Sequence, residues 1–134
     1  MKTLSCIILT AFLFSCGNRS AISKKLSGSD SLVITFNAPN SDSVIRTVST
    51  TEKKAIRKLA GFMDGKKGEE GVCGFDGNMT FYSKGEVLLP VIFQYSEESC
   101  RHFLFEMDNK VMNTTMSNEA VDFLKNLVGE RRGD

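Results

Sequence analysis

Short β-rich segments separated by glycine-containing turns fill the chain between about residues 72 and 116, and they constrain its fold more than any other feature. Asp76-Gly77 and Lys84-Gly85 each place a glycine where a tight turn needs a positive φ. The segments between the turns are rich in β-branched and aromatic residues, which favour strands. We predict strands over 72–75, 78–83, 86–95, 100–107 and 111–116. Because the connections are short, neighbouring strands should pair antiparallel as a meander of four or five strands.

A hairpin and a helix precede this meander. Residues 31–36 and 43–48 have strand composition and flank the turn cluster Asn37-Ala38-Pro39-Asn40. Ser49 and Glu52 then fit a capping box, in which each side chain satisfies a backbone amide at the start of a helix. The apolar residues that follow recur at helical spacing and predict a helix over 50–63: Ile56, Leu59, Ala60 and Met63. The other side of this helix is basic and could contact anionic lipid headgroups or only solvent. Its residues are Lys53, Lys54, Arg57 and Lys58.

A second helix follows the meander. Ser117 can cap it, and Glu119 lies in its first turn, where a negative charge is favourable. Its apolar stripe ends before Gly129 and consists of Ala120, Phe123, Leu124, Leu127 and Val128. Residues 64–71 are too polar and glycine-rich for either element, and we predict a mobile loop there. The fold class is therefore α+β, with an antiparallel β-meander packed against two α-helices.

Composition is consistent with one modest domain. We assign residues 31–134 to it and residues 17–30, which are rich in Ser, Lys, Asn and Gly, to a flexible tether. About 100 residues suffice for a single small core. The chain has 17 Lys+Arg against 16 Asp+Glu, with no Trp and two Tyr. This balance gives no electrostatic reason to expect a nucleic-acid partner.

The first residues have the layout of an export signal. Lys2 gives a positive start, residues 4–14 are mostly apolar, and Ser15 is small. The apolar run is shorter than the ~20 residues that a membrane-spanning helix needs. Leu13-Phe14-Ser15-Cys16 resembles the lipobox of bacterial lipoproteins. An ordinary cleaved signal with an incidental cysteine is the alternative interpretation.

The resemblance implies that residues 1–15 are removed and that Cys16 carries the lipid as the first residue of the mature chain. Residues 16–30 would then tether the domain to a membrane of the cell envelope, expected to be the outer membrane, facing the periplasm or the cell surface. Asp30-Ser31-Leu32 and Asp42-Ser43-Val44 also resemble O-glycosylation acceptor sites of Bacteroidota, whose lipoproteins often begin with Ser-Cys-Gly.

The remaining cysteines then form a simple set. Cys6 lies in the signal and Cys16 carries lipid, so the domain keeps only Cys73 and Cys100. Two cysteines outside the cytoplasm usually pair. We therefore predict a Cys73–Cys100 disulfide with a Cα–Cα distance below about 7 Å.

Cys100 also lies two residues from His102, so in a strand both side chains would share one face. A thiol beside an imidazole can act as a nucleophile, which makes Cys100 and His102 an alternative active site. Metal binding by these two residues and Cys73 is a weaker alternative, because the short paired spacing of structural zinc sites and an obvious fourth ligand are missing.

Three classes of function stay open at this point. The chain lacks a phosphate-binding glycine loop, a nucleophile elbow and a zinc-protease motif, so we expect no enzyme and no cofactor. We expect a lipid-anchored binding or inhibitory module whose partner is an envelope protein or polymer. A structural or assembly lipoprotein and a Cys/His-dependent enzyme are the alternatives.

Overall fold

A single six-stranded sheet organises the protein in this computed structural model, which describes residues 20–68 and 73–129. The helices are α1 (Ala21–Leu26), α2 (Lys53–Phe62) and α3 (Asn118–Leu127). The strands are β1 (Ser31–Asn37), β2 (Val44–Thr50), β3 (Gly77–Ser83), β4 (Glu86–Gln94), β5 (His102–Met107) and β6 (Lys110–Thr115). A short 3-10 helix, Glu98–Cys100, precedes β5.

All neighbouring strands are antiparallel, in the order β2-β1-β3-β4-β5-β6. The chain leaves β2, passes through α2 and returns on the other side of β1 to begin β3. From β3 to β6 it runs as a four-stranded meander. The predicted α+β class with an antiparallel meander is confirmed, and the first hairpin extends the same sheet.

Two hairpin turns of the meander have both central residues at positive φ. Lys84 and Gly85 both have positive φ, 51° and 79°, between β3 and β4. Asp108 and Asn109, between β5 and β6, also have positive φ values, 51° and 62°. Paired positive φ values match the twist of the flanking strands, and Gly, Asn and Asp tolerate them best.

The helices cover one face of the sheet. Along β1 every second residue is buried, namely Leu32, Ile34 and Phe36. Side chains at the same level of β3, β4 and β5 continue this core, which includes Met79, Phe81, Val91, Phe93, Phe103 and Phe105. On the opposite face Ile92 and Val111 are 45% and 71% exposed. The outer face of the sheet therefore stays partly open to solvent at β4 and β6.

Helix α1 corrects the predicted tether. The composition of residues 20–30 predicts a flexible tether, yet Ser20 caps a helix whose Ile22 and Leu26 are buried. Ser29 is also buried and donates to the carbonyl oxygen of Tyr82. The polar composition concealed two apolar residues four positions apart, which is enough to fix one helical turn on a core. The domain therefore includes residues 20–30, and a third helix belongs to it.

The capping box at Ser49 and Glu52 is also wrong. Ser49 belongs to β2, and Glu52 precedes α2 without a side-chain capping bond. Thr50 Oγ1 accepts instead from the amide of Glu52. The β-branched run of β2 extends its pairing with β1 to Thr50, so the helix begins at Lys53 rather than residue 50.

Asp76-Gly77 does not form the predicted turn, and residues 73–75 are not a strand. Asp76 is buried, and its carboxylate accepts from the amides of Tyr95 and Ser96 at 2.7 and 2.8 Å. Gly77 begins β3, where a Cβ would overlap the carbonyl oxygen of Thr35. A glycine is therefore needed at position 77 because β1 and β3 approach each other closely there, and not because the backbone has a positive φ.

Part of the predicted loop at 64–71 covers the end of the β6 edge at residues 113–115. The amide of Thr115 donates to the carbonyl oxygen of Lys66, and the amide of Gly68 donates to that of Asn113, both at 2.8 Å. Lys67 also forms an antiparallel bridge with Thr114. Residues 69–72 lie outside the described part of the chain.

Candidate functional site

The outer edge of β2 is an open strand edge. β2 ends the sheet on one side, and within residues 20–68 and 73–129 no segment pairs with its outer side. Its sequence, VIRTVST, is rich in β-branched residues, and Val44 and Ile45 are 58% and 60% exposed. An edge of this kind presents unpaired backbone donors and acceptors to another strand.

An apolar groove adjoins this edge on the helical side of the sheet. One part has a volume of about 530 Å³, with Ile34, Val48, Leu59, Phe123 and Leu127 among its lining residues. A second part of about 470 Å³ shares Val48 and Leu127 and continues to Arg46 and Gly129. We call these two parts together the β2 groove. The last turn of α3 forms its outer wall, so the helix predicted to lie across the meander also shapes this groove.

The rim of the β2 groove is mainly basic. Lys54 and Lys58 project from α2, and Arg46 projects from β2, with all three side chains exposed. Glu52 is the one acidic residue among those lining the groove. Lys58 Nζ also lies 3.7 Å from Glu119 Oε1 and 5.3 Å from the centroid of the Phe123 ring. The arrangement suits a ligand that carries both apolar and acidic groups.

A second cluster of reactive side chains lies at the start of β5. Cys73 and Cys100 form a disulfide with a Cα–Cα distance of 6.0 Å, as predicted. His102 lies beside them, and the Sγ atoms and an imidazole nitrogen are within 4.8 Å of one another. We call Cys73, Cys100 and His102 the cystine cluster. Cys100 belongs to the 3-10 helix and not to a strand, yet it lies close to His102 as expected.

His102 is 8% exposed at the first position of β5. Burial removes hydration from the cationic imidazole and lowers the pKa of His102 below its usual value of 6.5. In the disulfide neither sulfur is a thiolate. A nucleophile at Cys100 would therefore require the bond to be reduced first.

Hydrogen bonds hold the segment of Cys73 in place on the sheet. Phe75 donates its amide to Asn40 Oδ1, and the amide of Asn40 donates to the carbonyl oxygen of Phe75, both at 3.1 Å. Asp76 then binds the end of β4 through Tyr95 and Ser96. A cavity of about 160 Å³ lies next to the cluster, lined in part by Cys73, His102 and Leu104.

The burial of Gln94 and the position of the basic helix face beside β2 are not evident from the sequence. Gln94 pairs with His102 across β4 and β5 and is only 1% exposed, with no hydrogen-bond partner for Oε1 among the described residues. The sequence does not indicate this burial, because glutamine side chains are mostly exposed in proteins. The basic residues Lys54 and Lys58 were recognised as one helix face, but their place beside β2 depends on tertiary packing.

Comparisons with known proteins do not extend this description. A search of protein-family models gives no match, and searches of curated proteins and of solved structures give none either. The predicted lipidation site, Cys16, lies outside the described residues. None of the helices within 20–68 and 73–129 has the length and apolar character needed to cross a bilayer.

Proposed function

We propose that the protein is a lipid-anchored binding module of the cell envelope that holds an extended segment of a partner protein at the outer edge of β2. The observation that carries the proposal is the difference between the two edges of the sheet. Lys66, Lys67 and Gly68 pair with the end of the β6 edge at residues 113–115, whereas the outer side of β2 has no pairing partner among the described residues. Proteins normally protect such edges, so an unprotected one next to an apolar groove favours strand addition.

The chemistry of the partner segment follows from the β2 groove. Side chains alternate between the two faces of an added strand, so half of them would lie on the helical side of the sheet. Apolar side chains there would contact Val48, Phe123 and Leu127. Carboxylates at the rim would be attracted to Arg46 and Lys54. We therefore expect an extended peptide with both apolar and acidic residues.

The lipid anchor rests on the resemblance of Leu13-Phe14-Ser15-Cys16 to a lipobox. A lipid on Cys16 would keep the β2 edge close to a membrane of the envelope and raise its effective concentration toward partners there. Intact mass of the protein extracted from membranes tests this part. A mature chain that begins with a lipid-modified Cys16 supports the anchor, and a chain without lipid contradicts it.

Selection from a library of short random peptides on the purified protein tests the binding site. We expect the selected peptides to be rich in apolar and acidic residues. The Arg46→Glu/Lys54→Glu variant should bind them more weakly and, in a second selection, should enrich basic residues instead. Lys110→Glu, an exposed charge reversal at the opposite edge, is the matched control and should select the same peptides as the unchanged protein.

Peptide selection, crosslinking and alkylation together separate the alternative functions. Peptides that bind equally well to both charge-reversal variants would contradict a role of the β2 groove. A stable stoichiometric complex after crosslinking in the envelope would favour a structural or assembly lipoprotein. A cysteine that is alkylated before reduction would favour the enzyme that uses Cys100 and His102.

A further inference from the structure

The cystine cluster brings together three side chains that can bind a zinc ion once the disulfide is reduced. Its three ligand atoms are two sulfurs and one imidazole nitrogen, all within 4.8 Å of one another. Thiolate and imidazole are the side chains that zinc prefers. Cys73 and Cys100 are half-buried and His102 is buried, so the three are held by the fold rather than placed on a mobile surface.

We propose that the reduced protein binds one Zn²⁺ through Cys73, Cys100 and His102. Two electrons from a dithiol donor cleave the disulfide and give two thiols, while the donor becomes a disulfide. When Zn²⁺ binds, each thiol loses its proton, so one metal ion enters and two protons leave for solvent. The site then has two thiolates and one imidazole as protein ligands, with water in the fourth position.

The backbone spacing suits this exchange. Two thiolates on one tetrahedral zinc at about 2.3 Å have their sulfurs about 3.8 Å apart. The Cα atoms of Cys73 and Cys100 are 6.0 Å apart, a separation at which rotation about the side-chain bonds is enough to move the sulfurs that far. His102 is the first residue of β5 and is itself paired with Gln94 and Thr115, so it needs no backbone movement to remain beside the two cysteines.

The surroundings also provide space and a supporting acceptor. The cavity of about 160 Å³ is lined by Cys73 and His102, which leaves room for the metal-bound water. A ligating histidine usually donates its other ring N–H to a neighbouring acceptor. Gln94 Oε1 lies in the residue paired with His102 and is buried without a hydrogen-bond partner in the described structure. This oxygen is the acceptor we assign to the imidazole of the metal-bound form.

Titration with Co²⁺, a spectroscopic substitute for zinc, tests the site on the full mature chain after reduction with a phosphine and removal of the reductant. We expect one Co²⁺ per chain, thiolate-to-cobalt absorption, and release of the cobalt when Zn²⁺ is added. His102→Ala should weaken binding by at least the roughly 10- to 100-fold that loss of a supporting residue costs. Gln94→Ala should weaken it less, and Lys110→Ala should leave it unchanged.

Near-UV circular dichroism during the titration separates loss of the fold from loss of the site. Reduced protein that stays folded, or that regains its spectrum when zinc is added, supports the proposal. Absence of thiolate-to-cobalt absorption in the reduced protein would overturn it. Equal cobalt affinity in His102→Ala and the unchanged protein would also overturn it, because two thiols alone would then explain the binding. Neither result bears on peptide binding at β2.

Discussion

At the residue scale, the buried side chain of Asp76 fixes the segment before β3 to the end of β4. Its carboxylate accepts from two backbone amides and from Ser96 Oγ, all at 2.7–2.8 Å, while the residue is 2% exposed. It joins the segment that carries Cys73 to the end of β4. Both the cystine cluster and the start of β3 therefore depend on one carboxylate.

Replacing Asp76 should destabilise the protein more than replacing any exposed aspartate. Asp76→Ala leaves the amides of Tyr95 and Ser96 without their acceptor, and we expect a loss of about 2–4 kcal/mol in the free energy of unfolding. Asp122→Ala, on the exposed side of α3, is the control and should change it by less than about 0.5 kcal/mol. Urea denaturation of both variants measures the difference. Equal stability would contradict the assigned role.

The burial of His102, the single histidine of the chain, predicts how the stability of the protein depends on pH. The pKa of His102 is lowered in the folded state, so the unfolded chain binds the proton more readily. Stability should be complete above 6.5, the usual pKa, and should fall as the pH drops from there toward the lowered pKa. Denaturation of His102→Asn above and below this value should show a smaller decrease than the unchanged protein, and an identical decrease would contradict the assignment.

At the element scale, the strands were predictable because each has a local signal. β-branched composition and paired turn residues such as Lys84-Gly85 act within a few residues of the chain. The start of α2 was not predictable in the same way. Ser49 and Glu52 fit a capping box locally, but pairing of β2 with β1 gains more backbone hydrogen bonds than one earlier helical turn.

The two predicted caps differ in a way that can be measured. Ser117 Oγ accepts from the amide of Ala120 at 3.2 Å at the start of α3, whereas Ser49 is an exposed residue of β2. Ser117→Ala should therefore reduce the free energy of unfolding by about 1 kcal/mol. Ser49→Ala should stay within about 0.5 kcal/mol of the unchanged protein. A larger effect at Ser49 than at Ser117 would contradict the observed helix boundaries.

The candidate sites depend on contacts that join distant elements, and this limits what the sequence could predict. The Cys73–Cys100 pair was predictable from cysteine number and expected compartment. The β2 groove was not, because Arg46 and Lys54 meet Leu127 only when α2 and α3 pack on the same face of the sheet. Residues 20–30 were misread for a related reason, since two apolar residues on a polar segment become informative only beside a core.

At the scale of the whole molecule, the disulfide joins the segment before β3 to the segment before β5. It closes a loop with a sequence separation of 27 residues. On the chain-entropy model, the Cys73→Ala/Cys100→Ala variant should lose about 3–4 kcal/mol of unfolding free energy. Most domains of this size have more stability than that, so we expect the variant to remain folded at room temperature. Denaturation without reductant measures the loss, and an unchanged midpoint would contradict a stabilising role.

The arrangement of the whole sheet leads to one interpretation of the protein. Part of one edge is covered by the chain's own residues 66–68, one face is covered by three helices, and β2 is left with exposed apolar residues beside a basic groove. A lipid on Cys16 would present this open edge near a membrane. The central claim is therefore that β2 binds an extended partner segment through its backbone.

Residue-resolved amide hydrogen exchange, measured with and without a selected peptide, tests this claim most directly. Alternate amides of a strand point toward opposite neighbours, so those of β2 that point away from β1 should exchange more slowly when the peptide is bound. Amides of β6 should be unaffected and serve as the internal control. Slower exchange at every second residue of Val44–Thr50 is the expected result. Unchanged exchange in β2, with protection elsewhere in the molecule, would contradict the account.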